Sequence, residues 1–196
     1  MILAVDTCLA ACSAALVDGA RAWSASEVIG TGHAERIAPM VAGLLEEAGA
    51  AARGLTRICC TVGPGSFMGA RVGISLAKGL ALPRGVPCVP MTTTAAIALG
   101  RARPLAVVLD ARRGQAYAEV FGDAPQSLRL VPYAEAAAMA EGVAVAGAGL
   151  GVIGRAGADA FPDPALMARH AAGAAPGRLS PLYLRAPDAK PGKPAL

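Results

Sequence analysis

Gly63, Gly65 and Gly69 stand in the run Gly63-Pro64-Gly65-Ser66-Phe67-Met68-Gly69, between an apolar segment and a segment of helical periodicity. Such a junction is where α/β proteins hold phosphates: glycine permits backbone angles closed to other residues, Pro64 fixes one φ, and the amides opening the next helix are unpaired and electropositive. Gly63, Gly65 and Ser66 are therefore candidate phosphate contacts. No register of the run supplies the Gly-Lys-Ser/Thr end of a Walker loop. The spacing G-x-G-x-x-x-G suits a dinucleotide fingerprint better, but the carboxylate needed about twenty residues later for the ribose is missing. Close strand–helix packing would also explain the glycines. Between Glu47 and Asp110 there is no Asp, Glu or His, while Arg53, Arg57, Arg71, Lys78, Arg84, Arg101 and Arg103 all lie there. An acid–base or metal site is hard to assemble from that stretch. Ser66 has no His or acid near it in sequence to activate it as a nucleophile. His33 and Glu35 open a helix, where Glu35 meets the helix dipole, and His170 ends a late one, so the two histidines give no ligand pair. Arg112, in Arg112-Arg113-Gly114, is a further candidate for anion contact. No catalytic residue and no metal ligand is assigned.

These residues must be positioned by a chain of 196 residues that is 55% hydrophobic with a net charge of +4. That is ample for a core, and too modest a charge to establish RNA binding. Cys8, Cys12, Cys59, Cys60 and Cys88 are odd in number and lack zinc-ribbon or disulfide spacing, so they read as reduced packing residues. The start Met1-Ile2-Leu3-Ala4-Val5-Asp6 has no basic leader pattern and no apolar run reaches membrane-span length. A soluble, cytoplasmic protein with no membrane contact is expected.

The order reads βββαβαβα: Ile2 to Val5, Cys12 to Val17 and Arg21 to Val28 as a meander, a helix from Ala34 to Ala48, a strand from Arg57 to Val62, a helix to Leu82, a strand at Cys88 to Pro90, and a helix from Thr92 to Leu99. The pattern then restarts. Leu105 to Asp110 repeats the opening apolar strand ending in aspartate, Gln115 to Phe121 repeats the hairpin partner, and a helix near Tyr133 to Ala140, a strand at Val143 to Ala146, the loop Gly147-Ala148-Gly149 and a helix near Ala165 to Ala172 follow. Internal duplication is the simplest account. Two such α/β units predict the actin, sugar-kinase and Hsp70 (ribonuclease H-like) architecture. Each unit is a mixed sheet with flanking helices, the second reduced, and the paired aspartates face a nucleotide cleft. Asp6, Thr7 and Asp110 thereby join the candidate nucleotide contacts. Residues 1–102 form the expected N-terminal domain, 103–186 the smaller C-terminal one, and 187–196 a flexible tail. On the helix after the glycine loop, Met68, Val72, Leu76 and Leu80 form a ridge suited to the sheet. Gly69, Gly73, Ala77 and Ala81 form a groove suited to another helix, with Arg71 and Lys78 left for solvent, a partner or an anion.

The combination of Ile2-Leu3-Ala4-Val5-Asp6-Thr7, His33-Ala34-Glu35-Arg36, the glycine loop with Gly69, Arg71, Gly73 and Ala77-Lys78-Gly79, Asp110-Ala111-Arg112-Arg113-Gly114 and Tyr183-Leu184-Arg185 resembles the TsaB (YeaZ) family of threonylcarbamoyladenosine synthesis on tRNA. The resemblance spans nearly the whole chain. It implies a non-catalytic paralogue of the transferase TsaD. In TsaD a His-x-x-x-His metal pair follows the next strand; here Thr93 and Ile97 fall at those positions, and neither replaces imidazole. It implies TsaD and the ATPase TsaE as partners, a homodimer when alone, and tRNA reached indirectly. The supported reaction would transfer threonylcarbamoyl to the adenosine 3′ to the anticodon in tRNAs reading codons that start with A. The partner interface implied is Ile37, Met40, Val41 and Leu44 on one helix and Phe67, Ala70, Arg71, Gly73, Ile74, Ala77 and Lys78 on the other. Met68, where Thr is frequent, and the short second unit depart from the family. The second departure weakens nucleotide binding, so no cofactor is expected to be held tightly by this chain alone, and ATP or ADP is expected at a complex interface. An active ATP- or metal-dependent transferase, or a metallopeptidase-like enzyme of the same fold, is the alternative.

Overall fold

The computed structural model describes residues 1–185; the expected tail falls outside the described residues. Strands β1 (Ile2–Asp6), β2 (Ala11–Asp18) and β3 (Arg21–Val28) form the meander, followed by α1 (His33–Glu47), β4 (Arg57–Thr61), α2 (Phe67–Ala81), β5 (Cys88–Met91) and α3 (Thr93–Ala98). They make one five-stranded sheet in the order β3-β2-β1-β4-β5, in which β1 pairs antiparallel with β2 and parallel with β4. Strands β6 (Leu105–Asp110), β7 (Gln115–Phe121) and β8 (Gln126–Pro132), helix α4 (Tyr133–Met139) and β9 (Ala144–Ala148) make a second sheet, ordered β8-β7-β6-β9. The mixed α/β architecture in two related units is as expected. β8 was not expected. Its polar residues Gln126, Ser127 and Arg129 blur the alternation, because it is an edge strand exposed along much of its length.

Period-two alternation divides the first sheet into two faces. Leu3, Val5, Ile58 and Cys60 pack with Ile37, Met40, Val41 and Leu44 of α1 and Ile74 and Ala77 of α2. Ala4, Val17, Cys59 and Val89 pack on the opposite face with Met167, Ala168 and Ala171 of α5 (Pro164–Ala171). The helix near Ala165 was expected within the second unit, but α5 covers the first sheet. The Arg57 guanidinium ties it there by donating to Ala171 O at 2.9 Å and to Ala174 O. Without α5 the Ala4–Val89 face would lie open to water, so the chain returns to close it. In the second unit Ala106, Val108 and Ala118 pack on α4, whereas Val107 and Leu109 meet Ile97 and Ala98 of α3, joining the two units through apolar contact.

Candidate functional site

A cleft of about 1120 Å³ lies between the units, lined on one side by Cys8, Gly65, Ser66 and Phe67 and on the other by Asp110 and Arg112. The structure thus brings Gly65, Ser66, Asp110 and Arg112 to one cavity. It keeps Asp6 and Thr7 out of it.

Asp6 is fully buried. Its Oδ1 accepts from Thr61 Oγ1 at 2.5 Å and from Cys8 N at 3.2 Å, and Oδ2 has no partner. Burial pushes the carboxyl up to about 6, against the opposing pull of the Thr61 and Cys8 hydrogen bonds and of His33. Thr7 Oγ1 donates to Gly69 O at 2.6 Å. Thr7 therefore fastens the start of α2 to the end of β1, and Asp6 ties the end of β1 to β4 and to the turn at Cys8, a correction to their expected role as nucleotide contacts.

The glycines are explained by their neighbours. A Cβ on Gly69 would lie 2.0 Å from Thr7 O, one on Gly73 2.6 Å from Thr7 Oγ1, and one on Gly65 2.1 Å from Cys8 O. Gly63, at φ +105°, faces Leu182 O, which a Cβ would approach to 3.0 Å. At each of these four glycines a side chain would meet protein backbone or the Thr7 hydroxyl. Ser66 N donates to Cys8 O at 2.7 Å, and Ser66 Oγ accepts from Gly69 N at 3.1 Å, so this residue caps α2. Close strand–helix packing is the reading the loop geometry carries.

Across the cleft, Asp110 is exposed and accepts from Arg112 N at 2.7 Å and from the Tyr133 hydroxyl at 2.8 Å, which holds the tyrosine above its usual range. Arg112 and Arg113 adopt φ of 60° and 55°, a left-handed turn costly for non-glycine residues. Arg185 steadies that turn by donating to Ala111 O at 2.9 Å and Gln115 Oε1 at 2.9 Å. Nothing in local spacing marked Arg185 for this contact; it is made across 70 residues or more.

The helical surface is the reverse of what periodicity implied. Ile37, Met40, Val41 and Leu44 of α1 and Ala70, Ile74 and Ala77 of α2 are buried in the first core, and Gly73 is pressed on Thr7, so in the folded chain these residues build its interior and present no surface to a partner. Phe67, Arg71 and Lys78 do face outward. Of the ridge expected on the sheet, Met68 also faces outward, 63% exposed, while Val72, Leu76 and Leu80 are half-buried and pack against the edge of the same core. The physical reason is distance. Gly69 and Gly73 let the helix approach β1 to backbone contact, so the small-residue stripe goes inward and the large one falls to the side. Burial of the small stripe needed the identity of Thr7 as its neighbour, which periodicity does not carry.

Thr93 and Ile97 are buried, and Thr93 N donates to Gly63 O at 2.8 Å, closing the loop from behind. Among the described residues no three His, Cys, Asp or Glu side chains converge as a metal site. The five cysteines form no disulfide, and burial pushes the Cys8 and Cys59 thiols up to about 12. No helix among the described residues is long and apolar enough to cross a membrane.

Residues 27–142 match the family model described as TsaD: tRNA N6-adenosine threonylcarbamoyltransferase. The chain is 36% identical over 121 residues to the tRNA threonylcarbamoyladenosine biosynthesis protein TsaB of Escherichia coli (strain K12), covering 59% of this chain and 52% of that protein. Against the protein of the same name from Haemophilus influenzae it is 33% identical over 121 residues, covering 59% and 51%. The alignments span about half the length of these relatives. A crystal structure of an uncharacterized Pseudomonas aeruginosa protein with similarity to peptidase YEAZ superposes with a TM-score of 0.75 at 30% identity, covering 94% of this chain and 99% of that one.

Proposed function

The chain belongs to the TsaB (YeaZ) family, and on that premise we propose that it is a non-catalytic partner subunit in the synthesis of threonylcarbamoyladenosine on tRNA. The observation that carries this reading is the outward face at the start of α2. Phe67 and Met68 are more than half exposed there beside the exposed Arg71, with Tyr183 stacked on Phe67, an apolar patch with a cationic border. Exposed patches of large apolar side chains on a folded chain mark interaction sites. The glycine loop supports the same reading, since its backbone is engaged by Cys8, Thr7 and Leu182.

In this proposal α2, with the outer face of α1, docks on the transferase TsaD, or on a second copy when TsaD is absent. TsaE joins the assembly, ATP or ADP sits at a complex interface, and tRNA is engaged through the complex in the cytoplasm. The cationic border predicts acidic residues on the docked face. Mixing the purified chain with TsaD and measuring association tests it: a complex at micromolar concentration, weakened by Met68→Asp, is expected, and no complex overturns it. Calorimetry of the lone chain with ATP and a divalent metal tests the enzyme alternative, because tight metal-dependent binding would favour that class instead.

A further inference from the structure

After α5 the chain returns to the cleft as an extended segment, residues 179–185, that touches both units. Leu179 is buried in the first core. Leu182 N donates to Val62 O at 2.7 Å, and Leu182 O covers the face of Gly63. Tyr183 stacks on Phe67 with centroids 5.1 Å apart, and its hydroxyl accepts from Arg71 Nε at 2.8 Å, while the Arg71 guanidinium sits 3.8 Å from the Phe67 ring centre. Arg185 then reaches the second unit, donating to Ala111 O, Arg112 O and Gln115 Oε1.

Seven residues with no helix or ladder of their own thus bridge the β4–α2 loop and the β6–β7 turn. Their order rests on these few attachments, the property of segments that open locally. They also end on the proposed docking surface: Tyr183, 46% exposed, extends the row formed by Phe67 and Met68. Exposed aromatic and arginine side chains held in place by stacking are the side chains that anchor interfaces.

We propose that residues 179–185 are a latch that ties the two units together along one wall of the cleft and supplies Tyr183 to the α2 docking surface, so that latching and partner docking are coupled. This rests on the docking role proposed above, with TsaD as the occupant. A partner that touches Tyr183 in its latched position favours the latched state, and by reciprocity the latched state favours the partner.

Hydrogen exchange on the full chain, alone and with purified TsaD, tests the latch. TsaD is expected to slow exchange in 179–185 and in 111–115 about tenfold. In the lone chain Arg185→Gln is expected to speed exchange in the same two segments while α1 and α2 stay protected, which certifies that the variant is folded. Tyr183→Ala is expected to weaken association with TsaD about tenfold, and Tyr183→Phe, which keeps the ring, to restore most of it. Wild-type association with latch exchange unchanged, or Arg185→Gln associating as tightly as wild type, overturns the coupling alone. Absence of wild-type association overturns the docking role and the coupling with it.

Discussion

Asp6 and Asp110 end the first strands of the two units and make the same turn, each accepting the N–H two residues on, Cys8 at 3.2 Å and Arg112 at 2.7 Å. Their surroundings differ entirely. β1 and β4 run in register with Val5 beside Cys60, so the next step sets Asp6 beside Thr61, and the 15-residue α2 then packs on its neighbour Thr7. β6 and β9 set Leu109 beside Ala148, so Asp110 falls beside Gly149, and only a short turn, Leu150–Ile153, follows. One aspartate is fully buried and the other stands in the cleft. The difference teaches that a duplicated strand-and-turn unit fixes backbone geometry, while the element that follows decides whether the same carboxylate is a core group or a surface group. The helices differ in length as well: α1 and α2 have 15 residues each, α4 has seven.

The strongest way to break the comparison is to push α2 off Thr7, the neighbour of Asp6. Gly69→Ala forces a Cβ into the Thr7 carbonyl and is expected to cost about 3 kcal/mol or more in denaturant unfolding. Gly79→Ala on the same helix, with nothing near its Cβ, should instead stabilise by about 0.5–1 kcal/mol.

Next comes pH. Asp6 titrates at about 6 when folded and near its ordinary value when unfolded. The unfolded chain therefore loses its proton first as pH rises. Stability should be full below about pH 4 and fall by roughly 3 kcal/mol as pH rises to about 6, then level off, as far as this one group is concerned. Unfolding midpoints across that window should lose this component in Asp6→Asn and keep it in Asp110→Asn.

Met68→Asp sharpens the asymmetry of the two units at the surface. It should weaken association at least about tenfold while leaving the melting temperature within about 2 °C, because the side chain is exposed. The smallest effect is expected from Tyr133→Phe, which removes the Asp110 hydrogen bond at an exposed site and should leave the unfolding midpoint almost where it is in wild type.

Much of the fold was legible because apolar period and turn residues are local properties: the strand ending in Asp6, its echo ending in Asp110, and the helix of Phe67 to Ala81 all announce themselves. β8 did not, since an edge strand need not alternate cleanly. The site was legible only in part. Ser66, Gly65, Asp110 and Arg112 do line one cleft, but the inward face of α2 and the place of Arg185 depend on contacts between residues 60 or more positions apart.

The amino-acid sequence by itself determined two α/β units, a glycine loop between strand and helix, and a stretch between Glu47 and Asp110 free of acids and histidines. Only the tertiary structure decided that the small-residue stripe of α2 faces inward, that Thr7 holds that helix while Asp6 ties β1 to β4, and that α5 and residues 179–185 return to the first unit. Periodicity records that a helix has two faces, but the neighbour close enough to demand glycine comes from another part of the chain.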